Sequence, residues 1–390
     1  MAPADAALAL AAVACLAAVC TMSMVRYVIY GPGMPSWGFG TQLSRDLLVF
    51  IARGTPPGAL AWVDFNGAAC HYWPRMAQLL QQSSRSQHTR AFAIPACTPS
   101  AADVAGAGVW SAKLAAVAEA SRGLQLPAEC VFPPDSASVA DGRRAILYFH
   151  GGAYVAGTLD SYRGMHARLA RATGLRVYGF EYRLAPGAQY PTQLFDALSA
   201  LRHMRELGHA DEDIVFAGDS AGGNLALALW LLVRPPIAGM VLLSPRVDVT
   251  SARASWKTFA AVDIVEPYVL ADPDSCIRKL LLPPGAPLTA DVERLLADPF
   301  LAPVRADLAG LPPTLVQVGT AEVMYDDICA FVANANAQNC AAPDRPCHVE
   351  LQRFRDMFHV FQYGPVVTPA VARAWDAVGA FVRSLGARSA

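Results

Sequence analysis

Charge is what this sequence has least of: only 16% of its 390 residues are Asp, Glu, Lys or Arg, and the formal net charge is -1. The basic residues form no runs, so the chain lacks the electrostatic footprint that a nucleic-acid partner requires. No segment repeats at a fixed period, which sets aside solenoids and propellers. Neither a Gly-x-x-x-x-Gly-Lys-Ser/Thr loop nor a zinc-type Cys/His array occurs, and no cofactor or metal is implied. Asn-x-Ser/Thr sequons are absent too, which favours the cytosolic side of any membrane. Nine cysteines are present, but Cys15 and Cys20 fall in an N-terminal apolar run and the rest are odd in number. No disulfide framework follows from them; Cys340 and Cys347 flank Ala-Ala-Pro-Asp-Arg-Pro and either close a small loop or stay as free thiols. Apolar residues, by contrast, make up 54% of the chain. That is enough to bury one large core, with helices appended to it.

Within this background the most informative stretch is Gly218-Asp219-Ser220-Ala221-Gly222-Gly223-Asn224. It joins a short strand-like run, Asp213 to Ala217, to an apolar helical run, Asn224 to Val233. A serine exposed on a sharp strand-to-helix turn needs small neighbours, because the turn crowds the backbone. Upstream, the strand-like Ala145 to Phe149 runs into His150-Gly151-Gly152-Ala153-Tyr154. Successive glycines let backbone N–H groups approach about 3 Å from a developing oxyanion, with Gly151, Gly152 and Ala221 as the candidate donors. His150 then braces the loop and is not the base, since a proton shuttle in this arrangement follows the acid in chain order.

These motifs resemble the hormone-sensitive-lipase-like branch of the α/β-hydrolases, which pairs a His-Gly-Gly loop with a Gly-Asp-Ser-Ala-Gly-Gly elbow. Tyr182-Arg183-Leu184-Ala185-Pro186, Pro191, Asp196, Leu243-Ser244-Pro245 and Asp248 look similar to further landmarks of that branch. The resemblance runs from about Ala140 to Leu385. It implies a mostly parallel central sheet flanked by helices, with a helical cap. Its chain order, serine then acid then histidine, directs attention downstream. Gly319-Thr320-Ala321-Glu322-Val323-Met324-Tyr325-Asp326-Asp327 resembles the family's Gly-x-x-Asp-x-Leu-x-Asp segment. Glu322 stands where many relatives carry aspartate, and triads with glutamate are known in this fold; Asp326 is its rival. His359, in Asp356-Met357-Phe358-His359-Val360-Phe361, resembles the base of Gly-x-x-His-x-Phe. Of the eight histidines, His71 and His88 precede the core, His166, His203 and His209 lie on helices or their ends, and His348 opens a strand.

The resemblance therefore implies a serine carboxylic-ester hydrolase with Ser220, Glu322 and His359 as its triad; an N-terminal anchor, and the likeness of that end to anchored fungal-type proteins, add the removal of acetyl or short acyl groups from a hydrophobic small molecule in secondary metabolism. Acyl transfer or amide cleavage by the same triad stays open, as does a ligand-binding protein on this fold. The N-terminus adds a separate expectation. Ala6 to Val25 is about twenty residues without a charge, the length of a membrane-crossing helix. This end is similar to that of anchored fungal-type proteins, so residues 1–30 are read as a single-pass anchor in the endoplasmic reticulum. Arg26, Arg45 and Arg53 follow the span, which by the positive-inside tendency leaves the rest cytosolic. Residues 31–140 are read as a helical cap segment, with an amphipathic stretch from Trp37 to Gly54, helices at Arg75 to Ser86 and Val109 to Arg122, and breaks at Pro56-Pro57 and Pro133-Pro134. Residues 141–390 form the core. A cap insertion at about 251–298 carries Trp256, Phe259, Tyr268 and Leu270, and its aromatics either pack or select the substrate.

Overall fold

The computed structural model describes residues 3–30, 33–53, 89–134, 143–267, 271–272, 274–340, 349–364 and 367–385. The expected helix at Arg75 to Ser86, the Pro56-Pro57 break, Tyr268, Leu270, His71, His88, His348 and the Cys347 end of the suspected disulfide lie outside them. Eight strands make one sheet: β1 (Thr89–Pro95), β2 (Gln125–Val131), β3 (Ala145–Phe149), β4 (Arg176–Phe180), β5 (Ile214–Asp219), β6 (Gly239–Leu243), β7 (Thr314–Gly319) and β8 (Val349–Phe354). Their spatial order is β1-β2-β4-β3-β5-β6-β7-β8. The β1/β2 and β2/β4 pairs are antiparallel, and every other pair is parallel.

The central strands β3, β5, β6 and β7 are buried at every position and largely apolar because both faces of the sheet are covered. Successive side chains point to opposite faces. Ile146, Tyr148, Val215 and Val241 accordingly enter one core, with Met165 and Leu169 of helix α3 (Leu159–Thr173) and Trp375 and Val378 of helix α7 (Pro369–Ser384). Leu147, Phe149, Phe216 and Leu242 enter the other. There they meet helices α4 (Thr192–Glu206), α5 (Ser220–Val233) and α6 (Tyr325–Cys340). Helix α3 starts at a capping box between Thr158 and Ser161 and stops at Gly174, whose φ of 72° suits the left-handed C-terminal turn.

Two expectations change. The sheet draws on residues assigned to a helical cap: β1 and β2 form its antiparallel edge, although a helix does occupy Ser111–Ala120. Alternating patterns this short, one broken by Pro127, read weakly in sequence. The N-terminal run is helical, as α1 (Pro3–Tyr30), but among the described residues no helix is long and apolar enough to cross a membrane. The single-pass anchor, its endoplasmic-reticulum placement and its cytosolic orientation are corrected on that finding, and the anchored fungal-type assignment goes with them. Part of the apolar character serves protein contact instead. Helix α1 packs against α2 (Phe39–Arg53); Val19 and Ser23 are buried, and Tyr27 meets Phe39 edge-on at 5.7 Å.

Candidate active site

Every strand from β3 through β8 apart from β4 hands a candidate residue to the same end of the sheet. His150 follows β3, Ser220 follows β5, Ser244 follows β6, Glu322 lies just beyond β7, and His359 lies beyond β8. Because these strands are parallel, their carboxyl ends converge, which is where α/β sheets build sites.

Ser220 is the first residue of α5 and has a φ of 51°. A left-handed backbone at a non-glycine residue is costly and persists only where its surroundings enforce it. The enforcement is visible on either side. A Cβ on Gly222 would lie 2.0 Å from the Phe149 carbonyl oxygen, and one on Gly218 would lie 2.7 Å from the Gly222 backbone. The elbow thus passes against the end of β3 with no space for a methyl group. Gly222→Ala is expected to cost about 3 kcal/mol or more, because backbone atoms cannot step aside as a side chain could. Denaturant titration checks this, and an alanine variant as stable as the parent would contradict it.

The glycine loop is held by Asp219. This buried carboxylate accepts hydrogen bonds from the Tyr148 hydroxyl at 2.7 Å, the Tyr162 hydroxyl at 3.0 Å and the Gly151 N–H at 3.0 Å. The Gly151 N–H, expected as an oxyanion donor, is thus engaged with Asp219. The N–H groups of Gly152 and Ala153 carry no hydrogen bond among the described residues. Their φ angles of 105° and 56° turn the chain sharply at this point. Ala221 lies in the first turn of α5, where helix N–H groups have no intrahelical partner. His150 stacks on Tyr182 with ring centroids 4.1 Å apart, and its Nδ1 donates to the Gly151 carbonyl at 2.8 Å. Burial pushes its pKa down to about 4, so the ring is a neutral brace.

Glu322 and His359 are brought together. The Glu322 carboxylate is 0% exposed, and its Oε2 lies 2.9 Å from His359 Nδ1. Its Oε1 accepts the Gly319 N–H at 2.5 Å and the Ser244 hydroxyl at 3.0 Å. Asp326 is engaged elsewhere, accepting the Ser255 N–H at 2.8 Å. Burial opposes protonation of His359, but the hydrogen bond and charge of Glu322, with the charges of Asp263 and Asp219, outweigh it and raise the pKa. The Ser220 hydroxyl makes no hydrogen bond among the described residues. The acid and base are joined and the serine is not yet linked to them, a looseness common before substrate binds. Two residues to which the sequence reading gave no part in the site support the pair. Ser244 bridges it, donating to Glu322 and accepting the Val360 N–H at 3.1 Å. Trp37 donates its indole N–H to the Asp356 carbonyl at 2.5 Å and packs edge-on against Phe358. The remaining described histidines serve packing: His166 pairs with Glu129 at 2.9 Å, His203 stacks on Phe92, and His209 bonds the Arg143 carbonyl. Trp256 is likewise structural, its indole donating to Asp327 at 2.7 Å.

A mostly parallel sheet with a strained serine, a glycine loop and a buried carboxylate–imidazole pair at one end defines, together with its relatives, a carboxylic-ester hydrolase. The chain belongs to the alpha/beta hydrolase fold family, whose sequence model matches residues 146–363. It is 35% identical over 253 residues to an acetyl-hydrolase of Streptomyces hygroscopicus, covering 63% of this chain and 76% of that protein. To an esterase of Acinetobacter venetianus it is 31% identical over 250 residues, covering 63% and 77%. Among solved structures, an esterase of the bacterial hormone-sensitive lipase family superposes with a TM-score of 0.62 at 26% identity, over 88% of this chain and 98% of that one. The resemblance to the hormone-sensitive-lipase-like branch holds.

Proposed function

We propose that this enzyme hydrolyses short-acyl esters through an acyl-enzyme on Ser220. His359 takes the serine proton as the hydroxyl attacks the ester carbonyl. Glu322 holds the imidazole in the tautomer with Nδ1 protonated and offsets the positive charge that forms. The N–H groups of Gly152, Ala153 and Ala221 stabilise the oxyanion. His359 then returns the proton to the leaving alcohol, and water, deprotonated by the same base, releases the acid. The observation that carries this reading is the 2.9 Å contact between Glu322 and His359 beside a strained serine. An intact acid–base pair also disfavours a purely ligand-binding role. Short acyl length is supported by relatives named acetyl-hydrolase and ethyl acetate hydrolase. A hydrophobic small-molecule substrate and a place in secondary metabolism were expected from the N-terminal anchor and its fungal-type likeness, and the correction of the anchor removes that support. Helix α2 and the excursion between β6 and β7 are proposed as the cap.

A pH profile of kcat/KM for p-nitrophenyl acetate tests the role of His359. Lowering the pH protonates the base, so activity is lost as pH falls through the His359 pKa. Since that pKa is raised above 6.5, the midpoint of the acid limb is expected above pH 6.5, with a tenfold loss per unit well below it. A profile flat across the acid range would remove His359 as the base, and a midpoint below 6.5 would overturn the upward shift alone.

A further inference from the structure

Asp263 lies in the excursion between β6 and β7 and is 0% exposed. Its carboxylate is filled by backbone donors. Oδ1 accepts the His359 N–H at 2.8 Å and the Ile264 N–H at 2.8 Å, while Oδ2 accepts the Val323 N–H at 2.7 Å. Val323 adjoins Glu322, so a single side chain grips the backbone of the base at one oxygen and that of the acid loop at the other. Three N–H donors on two oxygens suit a carboxylate, which only accepts. An asparagine would have to turn an NH2 group toward one of them.

The position of Asp263 is set in turn from the N-terminal segment. Arg45 of α2 donates Nε to the Val262 carbonyl at 2.8 Å and Nη2 to the Ala261 carbonyl at 2.9 Å. Its Nη1 is held by Asp46 at 2.8 Å, and Gln42 holds the other oxygen of Asp46 at 2.9 Å. A planar guanidinium with donors in a fixed fork suits two adjacent carbonyls, which a lysine would hold less rigidly. The line of contact runs from α2 through residues 261–263 to both members of the acid–base pair, and α2 lies outside the 146–363 match to the family.

We propose that Asp263 is a positioning residue for the Glu322–His359 pair and that Arg45 fixes its place. The N-terminal segment and the excursion then govern turnover through the backbone of the pair, independently of any contact they make with substrate. This rests on the reading of Glu322 and His359 as acid and base. The charges that face His359 are Glu322 from the loop after β7, Asp263 from the excursion and Asp219 from the elbow. Removing one of them makes the imidazole less basic, an effect that loosened packing alone does not produce.

The test measures kcat, KM and the pH profile with p-nitrophenyl acetate for Asp263→Asn, Arg45→Gln and Arg45→Lys. Asp263→Asn is expected to lower kcat about 100-fold, the scale of a small misplacement of catalytic groups. KM should stay nearly unchanged, and the acid limb should move to lower pH. Arg45→Gln should lower kcat in the same sense by a smaller factor, with Arg45→Lys recovering part of the loss. A folded Asp263→Asn enzyme with parental kcat and an unmoved acid limb overturns the proposal, as does a loss confined to KM. Should that variant not fold, parental kcat in Arg45→Gln overturns it equally. A Ser220→Ala control separates the levels: activity surviving there sinks the triad reading, whereas an inactive control beside a normal Asp263→Asn sinks this inference alone.

Discussion

Ser220→Ala is expected to lower turnover of p-nitrophenyl acetate by about six orders of magnitude while leaving the fold intact, the scale seen when a triad loses its nucleophile. The magnitude follows from the roles of the neighbours. Without the hydroxyl, His359 and Glu322 have no proton to move, and the N–H groups of Gly152, Ala153 and Ala221 retain only their own stabilisation of an oxyanion formed by bulk water. The fold should survive because the left-handed backbone at position 220 is imposed by the tight approach of Gly218 and Gly222 to the end of β3, and alanine is as small as serine. Stopped-flow and long-time assays with melting curves check both halves. Hydrolysis within tenfold of the parent would place the chemistry at another residue.

Glu322→Gln is expected to cost about four orders of magnitude in kcat, the size of effect that an acid-to-amide change produces in a Ser-His-Asp triad. The amide Oε1 can still accept from Gly319 and Ser244, so the NH2 group would face His359. Two donors cannot share that contact, and the imidazole must adopt the tautomer that leaves Nε2 protonated and unable to act as base. Asp326→Asn serves as the comparison. Asp326 lies in the first turn of α6 and its carboxylate is engaged with Ser255 of the excursion, so its loss is expected to cost about 1 kcal/mol of stability and little turnover. Parallel kinetics on the two variants decide the matter, and a larger loss from the Asp326 change would reverse these roles.

What could be read from the sequence was local. The elbow, the glycine loop, Glu322 and His359 each announce themselves within a few residues, because a sharp turn demands glycine and a loop between strand and helix has a short characteristic pattern. The parallel core was legible for the same reason, as apolar runs bounded by turns. Contacts between segments distant in the chain were not. The N–H of Gly151 is taken by a carboxylate 68 positions away, Asp263 reaches His359 across 96 positions, and Trp37 reaches Asp356 across 319. No spacing rule connects such pairs. The N-terminal helix failed differently. Its apolar composition was visible, but composition does not say whether protein or lipid faces it, and Val19, Ser23 and Tyr27 show a part facing protein.

The central claim is a covalent acyl group on one serine, and peptide mass mapping after rapid acid quench of the enzyme with p-nitrophenyl acetate measures it directly. The account predicts a mass increase of one acetyl group on the peptide that carries Ser220, appearing within a single turnover and absent from the Ser220→Ala enzyme. Acetyl found on another residue while Ser220 stays unmodified, or full turnover with no acyl-enzyme at any quench time, would contradict it.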